Sequence, residues 1–557
     1  MVASIQGLTP KASFLGIPQE LRDQIYHHYF KVEGGYTHDG AIDKIVRADG
    51  NSIDISLRYV CRSIAWETRN CALSLNSITF SPVCRDDWRS QALRLTHILK
   101  FQSILRVEML FRLGHLLTGD MFESPSPEYA QYMPVIEADV AAELAREVTR
   151  PRPRPHPSLE HFSRCQKLKE GYPTLLPIGE FRMTVFDNTV SCNRTVVYLL
   201  RLLAEKHPAA FSEAIEEVFP GWADSHSVQD FLNIGFDHWA VPSNAEMVEI
   251  WKVFQFQIPW ECSYKPYVLD ENHPHYHGPK YRYTQKYFFS ATAMAIRFLK
   301  QLPQCQRRLI QLLILNEDKA ATGNPQSHIF GLIPFCKENP KLQIEHRVNV
   351  WTNMLVAGEE LTSSRMAFVI EWPPDPEDDS IRRSHQTPGH SAAVHFAYWV
   401  LHTLAAIEDG MPAQSYKLLF DGGPDLNHAT ETFTKLFKLI IAWLTLNTDC
   451  VKHGILAPPG SHQYPFTTSS STEGLASVYN RSSVIQCNFY LDQPWDFEAI
   501  ANGYAMKRTT LRELGLSGLS WLSQRHLPDC WDVSTSKLDW VAIRLEYYDL
   551  EKLCDSS

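Results

Sequence analysis

The sequence predicts a helix-rich α+β protein, and three observations support that fold class. Two segments near the N-terminus, at 14–30 and 55–80, repeat apolar residues at helical spacing. Residues 309–345 show a β-like run, a helical pattern and a second alternating run, which is the order of a parallel crossover unit. Two more strand-like runs follow, at 367–371 and 416–420, each with a helical pattern close by.

The first N-terminal segment predicts an amphipathic helix. Leu21, Ile25, His28 and Tyr29 recur at i, i+4, i+7 and i+8, so they share one face of a helix. Pro18 suits the first turn, where its missing N–H would have no partner anyway. The residues before Pro18 are apolar and are expected to fold back on the stripe as a hydrophobic staple.

The second segment has stronger periodicity, with apolar or small residues at spacings of 0, 3, 4, 7, 8 and 11. These are Leu57, Val60, Cys61, Ile64, Ala65 and Thr68. Neither segment is long enough to be stable alone, so each needs the other or a partner. Two interpretations stay open from the pattern: a helical hairpin that forms one corner of an ordinary core, or a pair that docks on a second protein.

The residues of both segments resemble a known family. LGIPQELRDQIY (15–26) looks like the opening LPxELRxxIY of fungal F-box and F-box-like proteins. LRYVCRSI (57–64), followed by Trp66-Glu67 and by NSITF (76–80), looks like their continuation LxxVCRxIxxE…NxFxF. The resemblance covers residues 15–80 of the 557. Two departures from the family pattern are Ile17 in place of the usual leucine and an insert at 31–54 that is longer than a compact F-box has.

The resemblance implies an F-box-like helical hairpin that docks on the Skp-type adaptor of a cullin–RING ubiquitin ligase, while the rest of the chain selects an unknown protein substrate. The expected docking residues are Leu15, Ile17, Pro18, Leu21, Ile25, Val60 and Ile64. A non-catalytic scaffold that keeps the helical pair as core is the alternative function, and an enzyme without a recognised motif is the second alternative.

Composition narrows the classes of partner. A hydrophobic fraction of 44% with 21% charged residues is typical of a folded soluble protein. The formal net charge of −10 argues against a nucleic-acid surface, which needs clustered Lys and Arg. The twelve cysteines include no CxxC pair, which argues against zinc ribbons and thioredoxin-like sites. With no signal peptide and no apolar run long enough for a bilayer, the expected location is the cytoplasm, the nucleus or both, without membrane association.

The chain is predicted to divide into three parts: an F-box-like helical region at 1–118, a proline-rich loop or linker at 119–172, and a helix-rich α/β recognition body at 173–557. The run Pro151–Pro157 alternates proline with other residues, which favours polyproline II and a stiff linker. Helices are expected at 90–118, 208–218, 227–238, 244–257, 287–302, 325–337, 389–407 and 425–448. A further helix is expected to run through Val196, Leu199, Leu200 and Leu203, with Ser191 as its cap. The body resembles the irregular leucine-rich-repeat-like regions that follow fungal F-box segments, although no fixed period is measurable.

Three stretches contain residues of the types found in catalytic or metal sites. His273, His275 and His277 alternate in a proline-rich loop, but three histidines alone do not close a structural zinc site. Asp421–Asp425 lies between a strand and a helix, and a tight connection explains it better than an anion site. The acidic loop 373–379 lacks the spacing of a calcium site. With no recognised catalytic motif either, the sequence predicts no catalytic, cofactor or metal residue.

Overall fold

In the computed structural model, a seven-stranded sheet organises the described part of the chain. The described residues are 13–123, 127–130, 132–149, 190–254, 271, 276–355, 387–437, 484–490, 532–533 and 540–552. The strands are β1 (Tyr36–Asp39), β2 (Lys44–Arg47), β3 (Ile78–Phe80), β4 (Tyr281–Gln285), β5 (Leu312–Glu317), β6 (Gln343–Asn349), β7 (Thr387–Pro388), β8 (Tyr416–Asp421), β9 (Ile485–Cys487), β10 (Asp532–Val533) and β11 (Tyr548–Lys552).

The described part of the chain also contains many helices. They are α1 (Gln19–Phe30), α2 (Arg62–Glu67), α3 (Cys71–Leu75), α4 (Asp86–Arg112), α5 (Pro127–Ala130), α6 (Met133–Thr149), α7 (Val190–Lys206), α8 (Pro208–Val218), α9 (Val228–Leu232), α10 (Asn244–Val253), α11 (Ala291–Gln301), α12 (Gln304–Arg307), α13 (Ile333–Glu338), α14 (Gly389–Glu408), α15 (426–437) and α16 (Trp540–Leu545). Several 3₁₀ turns join them, including Phe14–Gly16, Ser56–Tyr59 and Pro325–Leu332, and a π-helical turn spans Val350–Leu355.

The strand order of the large sheet is β2-β1-β3-β5-β6-β8-β9. Only the β1–β2 hairpin is antiparallel, and every other neighbouring pair is parallel. The six parallel strands therefore follow one another across the sheet in the same order as along the chain. The predicted strand–helix–strand unit is confirmed, because β5 and β6 pair in parallel from Leu312↔Gln343 to Glu317↔Val348.

The two faces of the sheet differ in burial. In β5, β6 and β8, alternate side chains such as Leu313, Ile344 and Leu418 are fully or almost fully buried, and they belong to the main hydrophobic core. The residues between them are partly buried, except for Gln343 at the start of β6, which is exposed. Alternation of this kind is what a period-2 strand produces when one face packs in the core and the other, which we call the open face, is only partly covered. Helix α11 packs on the buried face, against β3 and β5.

A layer of helices extends the core away from the sheet, with α4 at its centre. This helix confirms the pattern predicted at 90–118, although it begins four residues earlier and ends at Arg112. It packs mainly on α6, α7, α8 and α10. Phe101 of α4, for example, meets Phe254 just after α10 with ring centroids 4.9 Å apart.

The structure corrects three local expectations. The stripe predicted as one helix at 57–68 is interrupted, because Cys61 has an extended backbone (φ −161°, ψ 165°) and α2 begins only after it. Part of the predicted linker at 119–172 forms helices α5 and α6, and Met133 and Ile136 of α6 are buried in the core. Ser191 is not a cap, since α7 begins at Val190.

Other expectations fall outside the described residues. These are the proline run at 151–157, the strand at 367–371, the acidic loop at 373–379, and His273 and His275.

Candidate functional site

The N-terminal helices α1, α2 and α3 form a unit with its own small core. Tyr26, Phe30 and Ile64 are 1%, 2% and 4% exposed and make up the centre of that core. Partly buried apolar side chains surround them: Phe14, Leu57, Cys61, Cys71, Ala72 and Leu75. The face of α1 that carries Tyr26 and Phe30 is therefore the face that packs within the chain.

Polar contacts between side chains fix α1 against α2. The Arg22 guanidinium donates to both oxygens of Glu67, at 3.1 and 2.8 Å, and the Tyr26 hydroxyl donates to Glu67 Oε2 at 2.6 Å. Arg22 also donates to the carbonyl oxygens of Leu15 and Ile17, which ties the preceding 3₁₀ turn to α1. Hydrogen bonds from Arg22 and Tyr26 lower the pKa of Glu67, while burial and the Glu67 hydrogen bond raise the pKa of Tyr26 to about 12.

A third set of contacts holds the unit to the sheet. The side chain of Asn76, which is 3% exposed, accepts from Val32 N at 2.8 Å and donates to Phe30 O at 2.7 Å and Ala72 O at 3.1 Å. The insert at 31–54 then enters the sheet as β1 and β2, with Tyr36 opposite Ile78 of β3. The insert is thus a hairpin that anchors the helical unit rather than a loose loop.

The opposite face of α1 is open. Leu21, Ile25 and Tyr29, at i, i+4 and i+8, are 48%, 42% and 39% exposed, and Leu15 before the helix is 43% exposed. Pro18 is also exposed. Three turns of apolar side chains therefore face away from the unit's core, and exposed apolar patches of this kind mark interaction surfaces.

The predicted docking residues divide between two environments. Leu15, Pro18, Leu21, Ile25 and Val60 lie at the surface, with Val60 65% exposed, and Ile17 is partly buried. Ile64 is not at the surface as predicted. The second helix is broken, and the Ile64 side chain lies in the core beside Tyr26 and Phe30. Ile64 stabilises the unit and is not available for contact with a partner.

Two further exposed aromatic residues, which the sequence did not predict as docking residues, belong to the same helical unit. Tyr59 is 79% exposed beside Val60, and Trp66 is 67% exposed on α2. The Arg69 guanidinium lies 4.0 Å from the Trp66 ring centroid and donates to the Trp66 carbonyl at 2.7 Å, which holds the indole in place. Tyr29 donates to Asp54 Oδ2 at 2.7 Å; together with the Ser56 N–H, which has the largest effect, this bond lowers the pKa of Asp54 to about 2. We call Leu15, Pro18, Leu21, Ile25, Tyr29, Tyr59, Val60 and Trp66 the apolar docking surface, a name that follows only from the role predicted for some of these residues.

No family model, curated protein or solved structure matches this chain. The site is therefore defined by its geometry alone.

A cluster of buried polar groups in the sheet is the strongest alternative site. Glu317, His346 and Tyr416 lie on β5, β6 and β8 and are 0%, 0% and 3% exposed. Glu317 accepts from Ala291 N, Thr292 N and Thr292 Oγ1 at 3.2, 3.0 and 2.9 Å, and His346 Nδ1 meets the Tyr416 hydroxyl at 2.7 Å. Because these groups are sealed from solvent and satisfy one another, they hold α11 and the strands together and offer no access to a substrate.

The Asp421–Asp425 turn, which the sequence marks as a possible anion site, has a structural role. Asp421 Oδ1 accepts from Gly423 N at 3.0 Å and Asn488 Nδ2 at 2.7 Å, and Asp425 Oδ1 accepts from His428 N at 2.9 Å, so the 421–425 turn is tied by its own side chains. Within the described ranges, no group of three or more His, Cys, Asp or Glu side chains is arranged to hold a metal ion. Nor does the described part contain a helix with the length and apolar character needed to cross a bilayer.

Proposed function

We propose that this chain is an F-box-like protein-interaction protein whose apolar docking surface binds a Skp-type adaptor of a cullin–RING ubiquitin ligase. One observation supports this function above all: α1 packs within the chain through Tyr26 and Phe30 and leaves Leu21 and Ile25 exposed on its other face. A helix that served only as a corner of the core would bury its most apolar stripe. The resemblance of residues 15–80 to F-box-like segments gives the partner class.

The longer insert is compatible with this function because it leaves Leu21 and Ile25 exposed, although its Asp54 accepts a hydrogen bond from Tyr29. It runs into the sheet as β1 and β2, and Asn76 holds its first residues to the end of α1. Leu21 and Ile25 therefore stay exposed even though the insert exceeds the length of a compact F-box.

For the body we infer an irregular leucine-rich-repeat-like array that recruits the protein substrate through the open face of its sheet. The sequential order of the six parallel strands supports this, because stacked strand–helix units place each new strand beside the last. Cross-strand register lines up rows of side chains on the open face. One row is Thr37, Thr79, Ile314, Glu345 and Lys417, and the next is Asn316, Arg347, Leu419 and Gln486. Mixed polar, charged and apolar groups favour a polypeptide over a nucleic acid.

Co-elution of the full chain with a purified Skp-type adaptor tests the docking proposal. We expect the wild-type chain to bind and Leu21→Asp to lose binding while its unfolding midpoint stays unchanged, because residue 21 is already half exposed. Val248→Asp is the matched control, since Val248 is a 47% exposed apolar residue on α10 of the body. Ile17→Asp is a weaker test, because Ile17 is partly buried and its loss would affect folding as well.

A wild-type chain that does not bind the adaptor would contradict the docking proposal. If Leu21→Asp instead unfolds the protein, the helical pair is a structural part of a scaffold. The body is tested in the Leu21→Asp variant, which is expected not to bind the adaptor. Proteins that still associate with this variant should no longer do so when Lys417→Glu is added. An unchanged set would exclude the open sheet face as the recruiting surface.

A further inference from the structure

Residues 546–552, which we call the strap, are bound to the rest of the chain along a single strand. They include β11, which pairs antiparallel with β4 along its whole length. Lys286 N extends this ladder by donating to Tyr547 O at 2.8 Å. Among the described strands, β4 is the only partner of β11, so the two form a small sheet of their own. A two-stranded ribbon has little stability by itself, so side chains must hold the strap in place.

One tyrosine of the strap is buried at the carboxyl ends of two parallel strands. Tyr547 is 1% exposed. Its hydroxyl accepts from Ala320 N, which follows β5, at 2.7 Å and donates to Thr352 O, which follows β6. The Phe288 ring meets the Tyr547 ring edge-on, with centroids 5.7 Å apart. Ligands of open α/β sheets usually bind outside the carboxyl ends of parallel strands, so the strap lies at a place that favours ligand binding.

Three cations from separate elements contact the acidic side chains of the strap. They are Arg89 of α4, Lys286 after β4 and Lys319 after β5. Asp549 pairs with Arg89 and, at 3.2 Å, with Lys286. Glu551 pairs with Arg89 at 3.1 Å, and Glu546 pairs with Lys319. We call β4 together with these three cationic side chains the strap groove.

The ion pairs of the strap lie at the surface, where they can be exchanged. The side chains of Asp549, Glu551 and Glu546 are 36%, 50% and 50% exposed. Ion pairs this exposed contribute little to stability and weaken as salt is added. Within the strap, only Tyr547 and Tyr548 are buried. Main-chain pairing, a buried side chain and complementary charge are also the means by which an extended peptide from another protein binds a sheet edge.

We propose that the strap groove binds an extended, acidic, tyrosine-containing segment of a partner protein, and that the strap is its displaceable occupant within the chain. The charge of the groove decides the class of partner, because in the described ranges Lys286 and Lys319 form ion pairs with the strap alone. The groove shares no residue with the apolar docking surface or with the two rows of the open face. The inference therefore does not depend on the proposed function.

Binding of a fluorescent peptide to the full chain tests the groove. The probe is LEYYDLEK, the sequence of residues 545–552, added to the wild type and to a double variant with Asp549→Lys and Glu551→Lys. These changes break three ion pairs of the strap and leave the groove itself intact, so the strap should leave the groove more often. We expect the double variant to bind the peptide saturably and at least about tenfold more tightly than the wild type, in which the strap competes. Binding should weaken as sodium chloride is added.

Two further variants connect the binding to the groove. Arg89→Glu, added to the double variant, should abolish peptide binding, because it restores opposite charges between residue 89 and the altered strap and repels the acidic peptide. Glu249→Lys is the control, since it breaks an exposed ion pair with Lys252 on α10 and should leave the wild-type affinity unchanged.

The proposal is overturned if the folded double variant gains no affinity for the peptide, or if the gain survives Arg89→Glu. If the double variant does not fold, Glu551→Lys alone takes its place and should give a smaller gain. Failure of that single variant to fold would also overturn the proposal, since the strap would then be an integral part of the body. A wild-type dimer that is lost in the double variant would assign the groove to the strap of a second copy and overturn a separate partner.

Discussion

Replacing Glu317 by glutamine should destabilise the body of the protein substantially. The carboxylate is fully buried at the N-terminus of α11, where it accepts from Ala291 N, Thr292 N and Thr292 Oγ1. His346 Nε2 lies 3.6 Å from Oε1. Glutamine keeps one acceptor oxygen but presents an NH₂ group to a backbone N–H, so at least one donor loses its partner. The favourable interaction of the negative charge with the helix N-terminus is lost as well.

The size of the effect follows from these contacts. Hydrogen bonds to a charged group contribute about 1.5–3 kcal/mol each, and removing one member of a buried charged network costs about 3–5 kcal/mol. Because glutamine keeps the shape and one acceptor, we expect a loss of about 3 kcal/mol in the free energy of unfolding. Glu345→Gln, on β6 but on the open face and ion-paired with Arg347 at 2.7 Å, should change it by no more than about 0.5 kcal/mol.

Urea unfolding followed by tryptophan fluorescence measures this difference. Trp399 is a local reporter, since its ring centroid is 5.3 Å from that of His346. Burial alone would raise the pKa of Glu317, but the interaction with His346 and the Thr292 N–H outweigh it and the net pKa is lowered. The stabilisation is therefore present above the unfolded value near 4.5 and lost as the pH falls through the folded value. Equal stability of Glu317→Gln and wild type at pH 7 would refute the structural role of the network.

Two further predictions concern other buried polar groups. Asn76→Ala should lower the free energy of unfolding by about 2–3 kcal/mol, because it leaves buried backbone groups at Phe30 and Val32 without partners; a urea midpoint equal to wild type would contradict this. His238 and His328 have pKa values lowered by burial to about 3 and about 4, so the unfolded chain binds more protons below pH 6.5. Stability should therefore fall between pH 6.5 and 4 by at most about 1.4 kcal/mol per pH unit for each histidine, and a flat unfolding midpoint across that range would exclude the two residues as buried neutral groups.

Periodicity predicted the long elements of the fold well. Helices α1, α4 and α7 and the parallel β5–β6 unit follow from local apolar spacing, which the structure preserves because each element buries one stripe against the core. Helix α6 is not predicted although Met133, Ile136 and Val140 have helical spacing, because prolines precede it and the 151–157 run follows it, and prolines favour irregular backbone.

The features of the fold that local sequence patterns do not predict depend on contacts between segments far apart in the chain. The β1–β2 hairpin is short and polar, and β1 is specified by its parallel partner β3, some forty residues away. The Arg22–Glu67 contact joins residues 45 apart in the chain, so neither residue's local pattern indicates it.

The sequence does not determine which face of α1 is exposed, because α1 has two apolar faces. Leu21 and Ile25 form one and Tyr26 and Phe30 the other, and the chain's own core selects the second. Sequence spacing alone does not decide between them. The position of Ile64 was mispredicted for a related reason, since the break at Cys61 rotates α2 relative to Val60.

The most direct test of the central claim measures adaptor binding and unfolding on the same two variants. Ile25, at 42% exposed, lies on the apolar docking surface, whereas Ile64, at 4% exposed, lies in the small core beneath it. We predict that Ile25→Asp loses binding to the Skp-type adaptor with an unchanged unfolding midpoint. Ile64→Ala should lose about 2–4 kcal/mol in the free energy of unfolding. Under conditions in which this variant is still folded, it should bind the adaptor as the wild type does. Retained binding by Ile25→Asp would contradict the account.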